Sequence, residues 1–117
     1  MTLPPFPPGH RAAGLLLHVT SLPSRYGIGD IGPAAVAWID RLHASGQTWW
    51  QALPLGPTGY GDSSYQPLSS FAGNPLLISP DWLIEDDLVR PNDCADGSSL
   101  PTAVDFEAVK RFKYTLL

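Results

Sequence analysis

The sequence predicts an α/β fold in which two parallel strands flank one helix. The first strand is indicated by an apolar run without alternation, GLLLHVT (14–20), which is typical of a strand buried on both faces. Apolar residues at helical spacing follow from residue 33, and an aromatic-rich segment, TWWQALPL (48–55), indicates the second strand. Because the connections are short, the three elements form a βαβ unit with parallel strands and a right-handed crossover.

The helix between the strands has a start signal and a stop signal. Pro33 suits the first helical position, where a missing N–H costs nothing, and Gly46 suits the residue just after the last turn. Pro54 ends the second strand, since proline has no N–H for a strand partner. One apolar helix face is predicted, and it comprises Ala35, Trp38, Ile39 and Leu42.

Two further helices are predicted in the second half of the chain. Ser79 is a suitable N-cap and Pro80 a suitable first residue for a short helix. The segment RPNDCADGSSLPT (90–102) has the composition of a surface loop. The last helix begins at about Asp105, and its apolar side comprises Phe106, Val109, Phe112 and Leu116.

Three segments follow from these elements. Residues 1–10 carry four prolines and are predicted to be a disordered arm. Residues 11–89 hold the βαβ unit and the loop after it, and residues 90–117 hold a loop and the truncated start of an inserted helical region. Parallel sheets need more than two strands and cover on both faces. We therefore expect the chain to be the start of a larger protein.

The composition argues against several classes of partner. The net charge is −4, and the seven Lys and Arg residues form no basic stripe, so nucleic acids and anionic membranes are not expected partners. No apolar run approaches the roughly 20 residues of a membrane span, and the N-terminus lacks the order of a signal peptide, so a cytoplasmic location is expected.

Cys94 is the one cysteine, which excludes an internal disulfide. Asp93 and Asp96 beside it disfavour a reactive thiolate.

Two loops are expected to carry the function. In sheets of parallel strands, ligands bind on the loops that follow the carboxyl ends of the strands. The first such loop is HVTSLPSRYGIGDIG (18–32), and the second is PLGPTGYGDSSYQPLSSFAGN (54–74). Both are rich in Gly and Ser and carry tyrosine and one aspartate. We expect them to lie at the same edge of the sheet.

The second loop has the chemistry of a carbohydrate site. A tyrosine offers a flat apolar face on which the C–H groups of a sugar ring can pack, while Asp, Ser and Gln bind hydroxyls. Glycines let the backbone approach a ligand closely. The alternative is a structured Ω-loop that only packs on the edge of the sheet. The candidate site residues are Tyr60, Asp62, Ser63, Tyr65 and Gln66.

A nucleotide site is not supported. GYGDSS lacks the lysine of a phosphate loop. Gly27, Gly29 and Gly32 satisfy the spacing G-x-G-x-x-G, but residues 20–26 separate them from the strand, and no acidic residue ends the second strand.

Metal and hydrolase chemistry are not supported either. His10, His18 and His43 show no paired ligand spacing, so no metal site is predicted, and we interpret His18 as a hydrogen-bonded scaffold residue. No G-x-S-x-G occurs. Asp30 and Asp62 are the only acids of the two loops; a glycosidase pair is one interpretation, and loop ordering or hydroxyl binding is the one we favour.

Two long motifs resemble a known family. GLLLHVTSLPSRYGIGDIG and WQALPLGPTGYGDSSYQPLSSFAGNPLLIS are similar to the start of the amylomaltases, the 4-α-glucanotransferases of glycoside hydrolase family 77. The resemblance runs from about Arg11 to Val89 and implies the N-terminal part of a (β/α)₈ TIM barrel. The family transfers α-1,4-glucan segments between maltooligosaccharides by a retaining mechanism with an aspartate nucleophile, a glutamate acid/base and a second aspartate. These three acids have no matching position here, so no catalytic residue and no cofactor are expected in this chain.

The resemblance also assigns roles to the candidate residues. Tyr65 matches the tyrosine that stacks on the donor-side sugar beside the cleaved bond, and Tyr60 matches a tyrosine of a secondary glucan site in some members. Ser64 replaces a proline of many members. Asp62, Ser63 and Gln66 match the family residues that shape that loop.

Three functional hypotheses remain at this point. The resemblance implies an N-terminal segment of a 4-α-glucanotransferase, inactive alone, with maltooligosaccharides and α-1,4-glucans as partners. The second hypothesis is a non-catalytic glucan-binding module, and the third is an interaction protein that binds through its proline arm.

Overall fold

A computed structural model describes residues 9–67, 69–100 and 103–117. Two strands, β1 (Gly14–Leu16) and β2 (Trp49–Gln51), flank helix α1 (Pro33–Ala44). Helices α2 (Pro80–Glu85) and α3 (Phe106–Leu116) follow. The 3₁₀ turns are Val19–Ser21, Tyr60–Asp62, Pro75–Leu77 and Pro91–Ser99. The predicted arm, residues 1–10, lies outside the described residues except for exposed Gly9 and His10.

The predicted βαβ order and the parallel pairing are confirmed. Gly14 pairs with Trp49 and Leu16 with Gln51, and the Leu17 N–H donates to the Gln51 carbonyl at 3.0 Å. Helix α1 begins at Pro33 as predicted, and Gly46 follows its end with a left-handed φ of 71°.

Both strands are shorter than the predicted 14–20 and 48–55. After β1, the His18 ring accepts a hydrogen bond from the Thr20 N–H, which turns the chain into a 3₁₀ turn. After β2, Leu53 adopts a φ of 64°, a left-handed conformation that no strand can continue. Side-chain capping and one backbone reversal therefore end the strands before their apolar runs end.

The expectation that β1 is buried on both faces is wrong for the described chain. Leu16 is 58 % exposed, and Leu15 and Trp49 are also exposed. One helix covers one face of the pair, and no described element covers the other. On α1, Ile39 of the predicted apolar face is exposed too. The covered side forms a first core cluster of Val19, Leu22, Ala35 and Leu77, against which Leu17, Trp38 and Trp50 pack.

A second core cluster joins α3 to the loop after β1. Ile28, Leu76 and Val109 are buried together, with Leu100 and Phe106 packed against them. The Asp105 carboxylate caps α3 by accepting from the Ala108 N–H at 3.1 Å, as the N-terminal position of Asp105 predicts.

The segment predicted as a surface loop is a 3₁₀ turn that packs on α3. Gly97 is buried where a side chain would overlap Phe112, and the Phe112 ring stacks on Tyr26 with centroids 6.0 Å apart. Cys94 is buried in the same turn, and burial, assisted by Asp93, raises the pKa of its thiol. The polar composition of this segment did not predict that Cys94 and Gly97 would be buried by packing.

Lys113 connects three distant segments from inside the protein. Its side chain is 1 % exposed, and Nζ donates to the carbonyls of Leu76 at 2.6 Å and Ile78 at 2.7 Å. Asp30 Oδ2 lies 3.6 Å from the same Nζ. Burial lowers the pKa of Lys113 and raises the pKa of Asp30, and each effect is opposed by the charge of the other group. Beside this pair, Ile31 and Ile78 form a parallel bridge.

We predict that Lys113→Met lowers the free energy of unfolding by about 3–5 kcal/mol at neutral pH. The variant leaves Asp30 buried without a cation and leaves two carbonyls without their donor. The measurement is the urea midpoint, followed by tryptophan fluorescence. The loss should shrink in acid, because burial already raises the pKa of Asp30 and the carboxyl can take up a proton.

The double variant Lys113→Met, Asp30→Asn is the control, since removing both charges avoids an unpaired buried ion. It should recover a large part of the lost stability. A single variant with the wild-type midpoint would show that Lys113 does not hold these segments together.

Candidate functional site

The rim loop, residues 54–74, leaves β2 and returns to its starting point. Leu53 reverses the chain, and Asn74 closes the loop by donating from its side-chain amide to the Gly56 carbonyl at 3.3 Å. The Asn74 amide oxygen also accepts from the Leu76 N–H at 3.0 Å, which starts the turn that follows. One side chain thus fixes both ends of the loop.

A tight turn within the rim loop positions the candidate residues. The Gly59 N–H donates to the Ser63 carbonyl at 3.1 Å, and between them Gly61 and Asp62 are left-handed, with φ of 65° and 55°. A Cβ on Gly59 would overlap the Gln66 carbonyl, so this close approach requires glycine. The turn therefore depends on the glycines that the sequence places here.

The tyrosine rings of the rim loop point to solvent. Tyr60 is 90 % exposed and Tyr65 is 68 % exposed, and Phe71, which the sequence interpretation did not include, is fully exposed. A loop that only packs on the sheet edge would bury such rings. Their exposure leaves the rings accessible to a ligand, as the binding interpretation requires, and the closed ends of the loop agree with the Ω-loop alternative.

Tyr65 lines an open cavity of 430 Å³. Pockets that hold small ligands usually have roughly 300–1,000 Å³. Of the five candidates, only Tyr65 contributes to the lining, and Ser64, Ser69 and Ser70 supply hydroxyls that the sequence interpretation did not assign. Ser63 does not line the cavity, but its Oγ accepts a hydrogen bond from the Tyr65 N–H at 3.2 Å and so contacts the backbone of a lining residue.

Asp62 is held by a lysine that sequence analysis missed. Lys110 of α3 donates to Asp62 Oδ1 at 3.0 Å and to Glu107 at 3.0 Å. The bond to Asp62 is the main reason why the pKa of Lys110 is raised. This contact supports the loop-ordering role of Asp62. No local pattern could reveal it, since the two residues are 48 positions apart.

The loop after β1 contacts the start of the rim loop through His18. His18 Nδ1 lies 2.7 Å from Thr20 Oγ1, and His18 Nε2 lies 3.2 Å from the Pro54 carbonyl oxygen. The predicted scaffold role of His18 is therefore confirmed, and the two loops do meet at one edge.

The first loop adds no open aromatic ring to the site. Tyr26 is buried, and its hydroxyl donates to Asp81 at 3.0 Å, where Arg25 also binds. Burial, followed by the bond to Asp81, raises the pKa of Tyr26. Asp30 is buried beside Lys113, so the interpretation of Asp30 and Asp62 as an open glycosidase pair finds no support.

The described residues form neither a metal-binding cluster nor a membrane-spanning helix. Residues 9–67, 69–100 and 103–117 contain no group of three or more His, Cys, Asp or Glu side chains arranged to hold a metal ion. Among the helices in this part of the chain, none has the length and apolar character needed to cross a membrane.

Known proteins match most of the chain. A family model described as 4-alpha-glucanotransferase, for glycoside hydrolase family 77, matches residues 17–117. A 4-alpha-glucanotransferase of Aquifex aeolicus is 53 % identical over 112 residues, which are 92 % of this chain and 22 % of that protein. One of Thermus thermophilus is 55 % identical over 83 residues, which are 71 % of this chain and 17 % of that protein.

A potato relative (Solanum tuberosum) named as chloroplastic/amyloplastic is 40 % identical over 116 residues, which are 95 % of this chain and 20 % of that protein. The predicted cytoplasmic location therefore stays a prediction. A solved structure, the amylomaltase of Streptococcus agalactiae in complex with acarbose, superposes with a TM-score of 0.77 at 37 % identity. The superposition covers 87 % of this chain and 21 % of that one.

This chain thus spans about a fifth of the length of the relatives that it matches. The family model begins directly after β1 and covers every later element and the whole rim loop. The chain belongs to glycoside hydrolase family 77, the 4-alpha-glucanotransferases.

Proposed function

We propose that this chain forms the N-terminal, sugar-binding part of a 4-α-glucanotransferase that moves α-1,4-glucan segments between maltooligosaccharides. The observation that carries the proposal is the open ring of Tyr65 beside a cavity lined by serine hydroxyls. The names of the relatives and the acarbose complex of the S. agalactiae protein support the same substrate class.

The proposed binding mode follows from the geometry around Tyr65. One face of the ring packs on the C–H groups of a glucose unit, while the Ser64 and Ser69 hydroxyls and the exposed Gln66 amide bind sugar hydroxyls. These hydroxyl and amide groups are neutral and can both donate hydrogen bonds to sugar hydroxyls and accept them. Asp62 and Ser63 hold the loop in shape, and Tyr60, outside the cavity, contacts a second part of a longer glucan.

In this proposal the described residues bind and orient the glucan and do not perform the bond exchange. The aspartate nucleophile, the glutamate acid/base and the second aspartate of the retaining mechanism are supplied by parts of the enzyme that have no match in this chain. Asp30 and Asp62 cannot replace them, because each is engaged by a lysine of α3.

The two strands are proposed to be the first two of a (β/α)₈ barrel. They are parallel, one of their faces has no cover among the described elements, and the rim loop follows the carboxyl end of β2. Ligand sites of such barrels lie at this end of the strands. Six further strands would supply the missing neighbours.

A second candidate is a glucan-binding module without catalysis. The rim loop is closed by bonds within the described chain, from Asn74 to Gly56 and from Lys110 to Asp62, so these contacts need no other part of an enzyme. This candidate predicts that the chain alone unfolds cooperatively and that maltooligosaccharides raise the midpoint temperature of its thermal unfolding. A chain that unfolds without cooperativity would exclude it.

The proposed function is tested with a chimera in which this chain replaces the matching segment of the A. aeolicus enzyme. With maltotriose, the chimera should produce glucose and longer oligosaccharides. Tyr65→Ala should lower kcat/KM at least about tenfold, which corresponds to ~1.4 kcal/mol of lost transition-state binding. The reason is that this ring is the aromatic surface of the cavity.

Tyr60→Ala is the matched control, since it removes the same ring from the same loop outside the cavity. It should leave the reaction with maltotriose nearly unchanged. Equal activity of the chimera and its Tyr65→Ala variant would contradict the role of Tyr65.

The tight turn makes a further prediction about glycines. Gly59→Ala places a methyl group against the Gln66 carbonyl, a strain of about 1–3 kcal/mol that displaces the turn. We expect kcat/KM of the chimera to fall roughly tenfold. Gly73→Ala is the control in the same loop, because its Cβ meets open space. If both variants kept full activity, the turn would not position the site.

A further inference from the structure

Helix α3 binds the chain inside the rim loop and just beyond its end. Lys110 and Lys113 are three residues apart and therefore lie on neighbouring positions of one helix face. Lys113 donates to the carbonyls of Leu76 and Ile78, directly after the loop ends. Lys110 donates to Asp62, in the turn between the two tyrosines. The helix thus holds the loop at one point and the chain that follows the loop at another.

The two contacts differ in their surroundings. Lys113 is fully buried, so salt in the solvent has little access to its contacts. Lys110 and Asp62 are half-buried, and Glu107 on α3 accepts from the same ammonium group at 3.0 Å. A partly exposed pair of this kind is screened by salt. The strength of the contact between Lys110 and Asp62 therefore depends on the salt concentration, whereas the contacts of Lys113 depend on it little.

The backbone at Asp62 needs an interaction to hold it. Its φ of 55° is left-handed, which is uncommon outside glycine, and Gly61 before it is left-handed as well. The bond from Lys110 fixes the Asp62 side chain in this turn. Ser63 is the next residue, and its hydroxyl accepts from the Tyr65 N–H. A short connected path therefore joins Lys110 to the backbone of Tyr65.

We propose that Lys110 is a positioning residue for Tyr65, acting through Asp62 and Ser63. The inference rests on the proposed function, because it assigns a sugar contact to Tyr65. It makes glucan binding depend on ionic strength although the glucan is uncharged. It also makes α3 part of the site without any contact between α3 and the sugar.

The first experiment measures the loop without using activity. Hydrogen exchange of the amides in residues 59–66 is compared between the chimera that carries this chain and its Lys110→Met, Lys110→Arg and Arg111→Met variants. Lys110→Met should speed exchange by roughly two- to fivefold, the range of a partly exposed ion pair. Lys110→Arg should stay near wild type, since arginine also pairs with a carboxylate. Arg111→Met removes the same charge from an adjacent exposed position and should change nothing. Equal exchange in Lys110→Met and wild type would overturn the inference.

The second experiment uses the chimera with the A. aeolicus enzyme. Lys110→Met should lower kcat/KM for maltotriose by roughly two- to fivefold at low salt, and Lys110→Arg should restore it. Raising the salt should bring the unmodified chimera toward the Lys110→Met value and leave that variant unchanged.

The outcomes separate the two proposals. A chimera that does not respond to Tyr65→Ala contradicts the proposed function, while the exchange experiment still decides whether Lys110 orders the loop. A chimera that loses activity with Tyr65→Ala but shows the same activity and salt response with and without Lys110 overturns this inference alone.

Discussion

The buried ammonium group of Lys113 is the interaction on which the other parts of the structure depend. It brings α3 against the carbonyls of Leu76 and Ile78, and it faces Asp30 in the loop after β1. A charge inside a protein is tolerated only when it is paired and hydrogen-bonded, and here three oxygen atoms surround the ammonium group. This requirement fixes the position of α3 relative to the βαβ unit.

The rim loop can expose its aromatic rings because its ends are held elsewhere. Asn74 joins the loop ends, His18 contacts the Pro54 carbonyl, and Lys110 holds the inner turn. A loop with these bonds does not need to bury Tyr60 or Tyr65 to keep its shape. Exposed apolar patches are a common feature of binding sites, and the proposed glucan site combines exposed aromatic rings with serine residues.

The low share of charged residues in the chain agrees with the uncovered apolar face of its sheet. Charged residues make up 15 % of the sequence, below the usual quarter or so, and Leu15, Leu16 and Trp49 are exposed on the strand pair. Parallel strands are normally covered on both faces. The proposed barrel would bury these side chains, and the relatives, about five times as long as the matched segment, have the chain length to do so.

The sequence by itself determined the features that depend on neighbouring residues. Pro33 and Gly46 mark α1, Asp105 marks the start of α3, and the motif of the rim loop identified the family and the exposed Tyr65. The tertiary structure alone decided which side chains meet across the chain: Lys110 with Asp62, Lys113 with Asp30, and Phe112 with the buried Gly97. It also shortened both strands and buried Cys94. The physical reason is that caps and turns arise from interactions between residues close in sequence, whereas ion pairs and packed faces depend on distances that no local pattern contains.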